Sequence, residues 1–458
     1  MNQDATGVSK SQSRASHKYK RAAVSVLVLA SGVIAAGSGM SNDPRTDHQN
    51  GGGFALDILS TTTSAPQEAE TGFDNAPNGM TDALTHSADQ MVFEEVDTVA
   101  GGLGPVFNAQ SCTDCHQSPV TGGLSQVTEL RVGQMGRNGQ FTNPNVPIGD
   151  GTVTIAGRSL INDRAICPSG AFATTEVQER TPDNMNVHTL RTSLNTLGDG
   201  YVEAIASTTI TQIASHQCNQ RNSQICGQVI MVPVMEAPGQ MRVARFGWKN
   251  QHASLLSFAG DAYLNEQGVT SRLFPTDTTT LCKTTTDPED HPDTAGLSDI
   301  DHFAQFMRAS KAPSRDTTLA ATLAAQQGAA VFDQIGCTTC HVSSITTAPA
   351  GSVINGGAFV VPDALGNKII HPYSDFLLHN VGTGDGIVQN GGPQSASKMR
   401  TPPLWGVRLR SRLLHDGRAL TFEDAIQGHG GEAIGVLHNF QNLNNQQQQE
   451  LITFLKSL

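Results

Sequence analysis

The chain has 458 residues and a formal net charge of −12, from 29 Lys and Arg against 41 Asp and Glu. An acidic balance of that size excludes nucleic acid as the natural partner. Aromatic residues are only 5% of the chain, while it holds 46 glycines and 21 prolines, a composition that predicts loop-rich domains rather than long regular helices.

In chain order, Lys10, Arg14, Lys18, Lys20 and Arg21 precede the apolar run AAVSVLVLASGVIAA (22–36) and the small residues GSG. That order predicts a secretory signal over 1–39, cleaved near Ala36 to Gly39, because the run is short for a membrane span. No other stretch is apolar enough to cross a bilayer, so the mature chain is expected to be periplasmic or secreted with no membrane span. The polar stretches NGGGF and STTTSAPQEAETG then predict a flexible leader over 40–81.

Helical spacing begins near Ser87 to Val96 and leads to SCTDCHQS, residues 111–118. Much later an alanine-rich helix ending at Gly336 leads to GCTTCHVS, residues 336–343. Cys112, Cys115 and His116 thus repeat as Cys337, Cys340 and His341. A CxxCH can be a redox dithiol, half a zinc site, or the attachment point of a c-type haem, whose iron takes the histidine. Only the last requires the histidine. With 15 histidines in 458 residues, chance would place one after both pairs on the order of once in a thousand. Two covalently bound haem c groups are predicted, and their attachment outside the cytoplasm agrees with export. The other cysteines are Cys167, Cys218, Cys226 and Cys282. Cys218 with Cys226 is the local disulfide and would leave Cys167 with Cys282; buried free thiols are the alternative.

Between the motifs, residues 149–293 exceed what a minimal cytochrome needs, and GQVIMVPVM and MRVARFGW predict a small sheet there. The final LNNQQQQELITFLKSL places Leu443, Leu451, Ile452, Phe454, Leu455 and Leu458 on one side of a helix. The fold class expected is mainly α: an N-terminal cytochrome c-like domain over 82–310 carrying a loop-rich, partly β insertion, and a C-terminal one over 311–458.

Four stretches carry a more specific likeness: GLGPVFNAQSCTDCHQSPVTGG, RFGWKNQHASLLSFAGDAYLNEQG, SDFLLHNVGTGDG and RTPPLWGVRLRSRLLHDGRALTFEDAIQGHGGEA. They resemble the bacterial dihaem oxidoreductase family, which is similar to dihaem cytochrome c peroxidases and to the dihaem enzyme that matures methylamine dehydrogenase. The resemblance implies two cytochrome c domains, one haem reacting with peroxide or oxygen species and the other passing electrons. It also implies a second axial ligand for the C-terminal haem at His429, where the peroxidases carry methionine; a bis-histidine iron has a lower reduction potential. By the same comparison His415 and His379 pack beside that haem or bond a propionate.

The N-terminal haem departs from the peroxidase pattern, since no histidine lies between His116 and His188. Its sixth position is left open, or filled by His252, His188, Met135 or Met185. Glu203 and His252 are the candidates for catalytic acid and base work, and Trp248 and Trp405 for bridging the haems. The function implied is an exported, peroxidase-like dihaem oxidoreductase, with electrons entering at the haem of His341 and peroxide or a substrate reacting at that of His116. Two alternatives stand beside it: a dihaem electron carrier without catalysis, and an enzyme oxidising a partner protein or polymer. The expected partners are a small redox protein as electron donor or acceptor and peroxide or an oxidisable substrate. The peroxidase likeness also leaves room for a bound calcium ion.

Overall fold

The structure, a computed structural model, describes residues 53–54, 56–61, 64–148, 153–167, 177–220 and 224–458. The signal expected over 1–39 lies outside the described residues. Part of the leader expected over 40–81 is described, and it corrects that expectation. Gln67–Glu68 pairs in parallel with Lys368–Ile370, and the amide of Asn78 donates to the carbonyls of Arg308 (2.9 Å) and Ser310 (3.2 Å). Asp57 meets Arg242 at 3.0 Å, both side chains shut off from water. A polar composition argues for disorder only while the polar groups lack fixed partners. Here a buried arginine and a sheet edge supply them.

The helix leading towards the first motif runs Ala83–Phe93, a few residues ahead of the expected one. Asp82 sets its start by accepting from the backbone N–H groups of Leu84 and Thr85, both at 2.9 Å. His86, Asp89 and Phe93 form its buried stripe. The corresponding helix before the second motif, Leu323–Gln334, is capped by Thr322 and stops at Gly336, whose φ of 99° a residue with a Cβ would resist.

The insertion is built on the strand Thr128–Met135, which pairs antiparallel with Val187–Thr192, Phe141–Thr142 and Leu160–Ile161. The small sheet expected from GQVIMVPVM and MRVARFGW contains Met231–Pro233 paired antiparallel with Gln240–Val243. Cys167–Cys282 and Cys218–Cys226 are both disulfide-bonded. Helix and strand make up 31% and 16% of the structure, so the insertion gives the chain a larger β share than the expected mainly α class suggests.

The glutamine-rich C-terminus is a packed helix, Asn445–Leu455, opened by a reciprocal cap between Asn444 and Gln447. It lies against Leu323–Gln334 so closely that a Cβ on Gly328 would sit 1.9 Å from the carbonyl oxygen of Glu450. Phe332, Phe440, Leu451, Phe454 and Leu455 fill this core. A second core gathers Phe93, Tyr263, Phe303 and Phe306 with Phe376 and Trp405 from far later in the chain. Among the described residues no helix is long and apolar enough to cross a membrane.

Candidate dihaem site

One continuous cavity, about 3080 Å³ with its open mouths included, is lined by Cys112, Cys115, His116, Cys337, Cys340, His341 and His429. The two CxxCH motifs, more than two hundred residues apart in sequence, therefore share one hollow. Most of its wall is apolar, including Phe93, Phe303, Phe332, Phe440, Trp248 and Trp405.

All four motif cysteines are free thiols, whereas the other four are disulfide-bonded. Burial pushes Cys115 and Cys337 each up to about 12. A redox dithiol works through a low-pKa thiolate, the opposite direction from the shift at Cys115 and Cys337. Both pairs suit thioether attachment, which leaves no ionised sulfur in an apolar wall.

Three histidines on the wall share one arrangement. Nδ1 of His341 lies 2.9 Å from the carbonyl oxygen of Tyr373, and Nδ1 of His429 lies 2.8 Å from that of Ala425. Nδ1 of His116 approaches the carbonyl of Gly123 at 3.4 Å. A carbonyl accepts only, so each Nδ1 carries the proton and each Nε2 keeps a lone pair for a metal. Burial holds His116 and His341 down to about 4 and lowers His429 as well, which keeps the rings neutral, the ligating form. His429 sits in a glycine turn that only glycine can make: Gly431 has φ of 50°, and a Cβ there would meet the carbonyl oxygen of Asn380 at 2.2 Å.

His379 and His415 are built differently. Both nitrogens of His379 are engaged, Nε2 with Asp375 at 2.8 Å and Nδ1 with Glu432 at 2.9 Å. Burial opposes its charge, but Asp375 and Glu432 override that and push it up to about 12. His379 is thus an ion-paired cation beside Cys340 rather than a ligand. His415 lines the cavity with Trp248 packed edge-on at 6.1 Å, and its buried Nδ1 has no hydrogen-bond partner among the described residues.

Glu203 and His252, the expected acid and base, are not on the cavity wall. Glu203 is fully buried and accepts from Arg308 at 2.6 and 3.0 Å, from the Leu255 N–H at 2.8 Å and from Asn355 at 2.9 Å. It serves as the counter-charge of Arg308. His252 stands behind the wall, its Nε2 3.1 Å from Asp261, which does line the cavity. His188, Met135 and Met185 are also off the wall, so the structure brings none of the four expected sixth ligands to the first motif. Trp248 and Trp405 are both on it.

The carboxyl groups that do face the cavity beside the first motif include Glu129 and Glu266. Glu129 accepts from Arg131 at 2.6 and 2.9 Å, and Glu266 accepts from Asn108 at 2.9 Å. Burial, and after it the charge of Glu129, pushes Glu266 up to about 8. Glu129 lies on the strand Thr128–Met135, and Glu266 on a π-helical turn, Tyr263–Gln267. A π turn is a common mark of functional sites, but spacing in sequence does not announce one.

Comparison with known proteins follows the same line. Residues 172–458 match the family described as di-haem oxidoreductase, putative peroxidase; the match includes the second motif and His429 and begins after the first. No curated protein matches the chain. Among solved structures, hydrazine synthase of Kuenenia stuttgartiensis pressurised with xenon is 14% identical over 91% of this chain and 100% of its own, with a TM-score of 0.35. A MauG-like protein associated with microbial copper homeostasis is 15% identical over 87% of this chain and 94% of its own, with a TM-score of 0.37.

Proposed function

Because the chain belongs to the di-haem oxidoreductase family, we propose that it is an exported dihaem c-type enzyme of the peroxidase kind, with cytochrome c-like halves over 82–310 and 311–458. The observation that carries this reading is the single cavity lined by both CxxCH motifs and by His429. Cys112 and Cys115 would hold one haem with His116 as ligand; Cys337 and Cys340 would hold the other with His341 and His429 as ligands. Bound there, the haems supply the redox chemistry, with electrons entering at the C-terminal one from a small redox protein and peroxide or an oxidisable substrate reacting at the N-terminal one.

The protein's own part is to hold and move protons. Cleaving an O–O bond heterolytically needs a group that takes the proton from the near oxygen and returns it to the far one. Glu129 and Glu266 suit this together. Arg131 favours the ionised form of Glu129, while Glu266, held up to about 8, keeps its proton near neutral pH. The pair therefore offers one proton and one place to receive one. His252 fixes Asp261 on the same wall.

The test is the intact mass and ferric spectrum of the exported protein. The mass should exceed the polypeptide by two haems, each roughly 0.6 kDa, and the spectrum should contain one low-spin bis-histidine iron and one iron with an exchangeable position. A single haem, or zinc, overturns the dihaem reading. Two irreversibly six-coordinate irons transfer the protein to the electron carriers.

A further inference from the structure

Among the described residues four arginines line the cavity, Arg131, Arg191, Arg400 and Arg410. Arg131 is neutralised by Glu129 at 2.6 Å and Arg191 by Asp385 at 2.7 Å. Arg400 donates to the carbonyl of Gly247 at 2.8 Å, with Asp199 and Asp375 close enough to act on its charge. Arg410 differs from all three. Among the described residues it has no carboxylate at ion-pair distance; its Nη1 meets the hydroxyl of Thr192 at 3.3 Å and its Nη2 the carbonyl of Ser193 at 2.7 Å. Those neutral groups aim the guanidinium without balancing it.

Arg410 is half-buried, and a guanidinium held partly out of water without an anion carries a desolvation cost that an anionic partner would offset. Burial lowers Arg410 to about 10, which leaves it charged at neutral pH. Its place is also specific. Thr192 ends the strand Val187–Thr192 and Ser193 follows it, both on the wall that His116 lines, and the neighbouring Ser411 accepts a hydrogen bond from Gln126. The second half of the chain thus delivers an unbalanced cation to the wall around His116. A haem brings two carboxylates, and a planar fork with free N–H groups is the side chain best matched to a carboxylate.

We propose that Arg410 binds a propionate of the haem attached at Cys112 and Cys115, so that the C-terminal half supplies the counter-charge of the N-terminal haem. This rests on the dihaem reading, which the haem count of the unsubstituted protein tests separately.

The experiment is spectroelectrochemistry and resonance Raman spectroscopy of Arg410→Gln and Arg410→Lys, each first shown to carry two haems. Removing the cation favours ferric iron, so Arg410→Gln should lower the midpoint potential of the N-terminal haem and leave the C-terminal one in place. Arg410→Lys should recover most of the fall, and in both variants the propionate-bending band of that haem should shift. An unchanged N-terminal potential and band in Arg410→Gln overturns the proposal. So does a fall shared by both haems, or one that lysine does not recover, since those mark loosened packing rather than lost charge. A raised KM with both potentials unmoved also overturns it and makes Arg410 a site for an anionic substrate. Should Arg410→Gln fail to mature with two haems, Arg410→Lys decides: a shifted band supports the contact, and an unshifted one overturns it.

Discussion

Arg191 stands directly opposite Glu129 where Val187–Thr192 pairs with Thr128–Met135. Burial favours the neutral carboxyl at Glu129, yet Arg131, with Arg191 across the sheet, holds it below the ordinary carboxylate range. The ionised Glu129 in turn adds to the burial that keeps the proton on Glu266. Two carboxyl groups in one wall are thereby driven apart in acidity, the usual arrangement for proton transfer.

This coupling predicts a paired result. Replacing Glu266 by Gln should slow peroxide turnover by roughly 10²–10⁴-fold, the ordinary worth of a positioned proton-transfer group, while both haems stay attached. In Glu129→Gln the negative neighbour is gone, so the pH step that Glu266 produces near 8 should move to lower pH. Steady-state rates from pH 5 to 10 would show it. A step that stays in place in Glu129→Gln means that the two groups are not coupled in the reaction.

His429 and His415 make a second pair. Nδ1 of His429 is fastened to the Ala425 carbonyl, leaving Nε2 for a metal, whereas the buried Nδ1 of His415 has no hydrogen-bond partner among the described residues and its Nε2 lies 3.5 Å from the Thr189 hydroxyl. His429→Ala should convert one low-spin iron to a high-spin or water-ligated one and raise its potential. His415→Ala should leave the coordination number unchanged. Electron paramagnetic resonance of the ferric variants distinguishes them; identical spectra for His429→Ala and the parent would remove His429 from the ligand set.

Asp57 carries a stability prediction. Burial opposes its charge, but Arg242 and Arg245 win and hold its carboxyl below the ordinary 3.8. Asp57→Asn would leave Arg242 buried without that partner and should cost about 3–5 kcal/mol, read as a lower midpoint in urea. Because the folded pKa is depressed, the stabilisation is complete above pH 3.8 and is lost as pH falls through the folded value. The gap between variant and parent should therefore close in strong acid. A gap that persists there would point to lost packing instead of lost charge.

What could be read from the sequence was whatever chemistry writes into adjacent residues. The CxxCH motifs predict a cofactor from adjacent residues alone, and the apolar spacing around Leu451 and Phe454 specifies a helix despite the glutamines. His429 needed a family resemblance to be singled out, and its carbonyl-bound Nδ1 gives an independent reason. Glu203 and His252 were misplaced because a lone Glu or His looks the same in sequence whether it faces a cavity or neutralises a buried cation such as Arg308. Glu129 and Glu266 were missed because they are brought together by a strand register and a π turn, neither of which leaves a spacing signal. The leader was misread for a related reason: its ordering depends on Arg242 and on the Lys368–Ile370 edge, far away in the chain.

The last prediction concerns which haem reacts. An iron held by two histidines cannot take peroxide without losing one, and His341 and His429 line the cavity with both Nε2 atoms free to ligate. Beside the first motif none of His188, His252, Met135 or Met185 lines the cavity, while Glu129 and Glu266 do. Reaction should therefore belong to the N-terminal haem. Cyanide added to the ferric or half-reduced protein should perturb one haem only. Replacing Cys112 and Cys115 by Ser should abolish that response while the His341 haem keeps its low-spin spectrum. If the surviving haem binds cyanide instead, the two roles are reversed; if neither haem binds it in either state, the protein is an electron carrier and Glu129 with Glu266 has no substrate to serve.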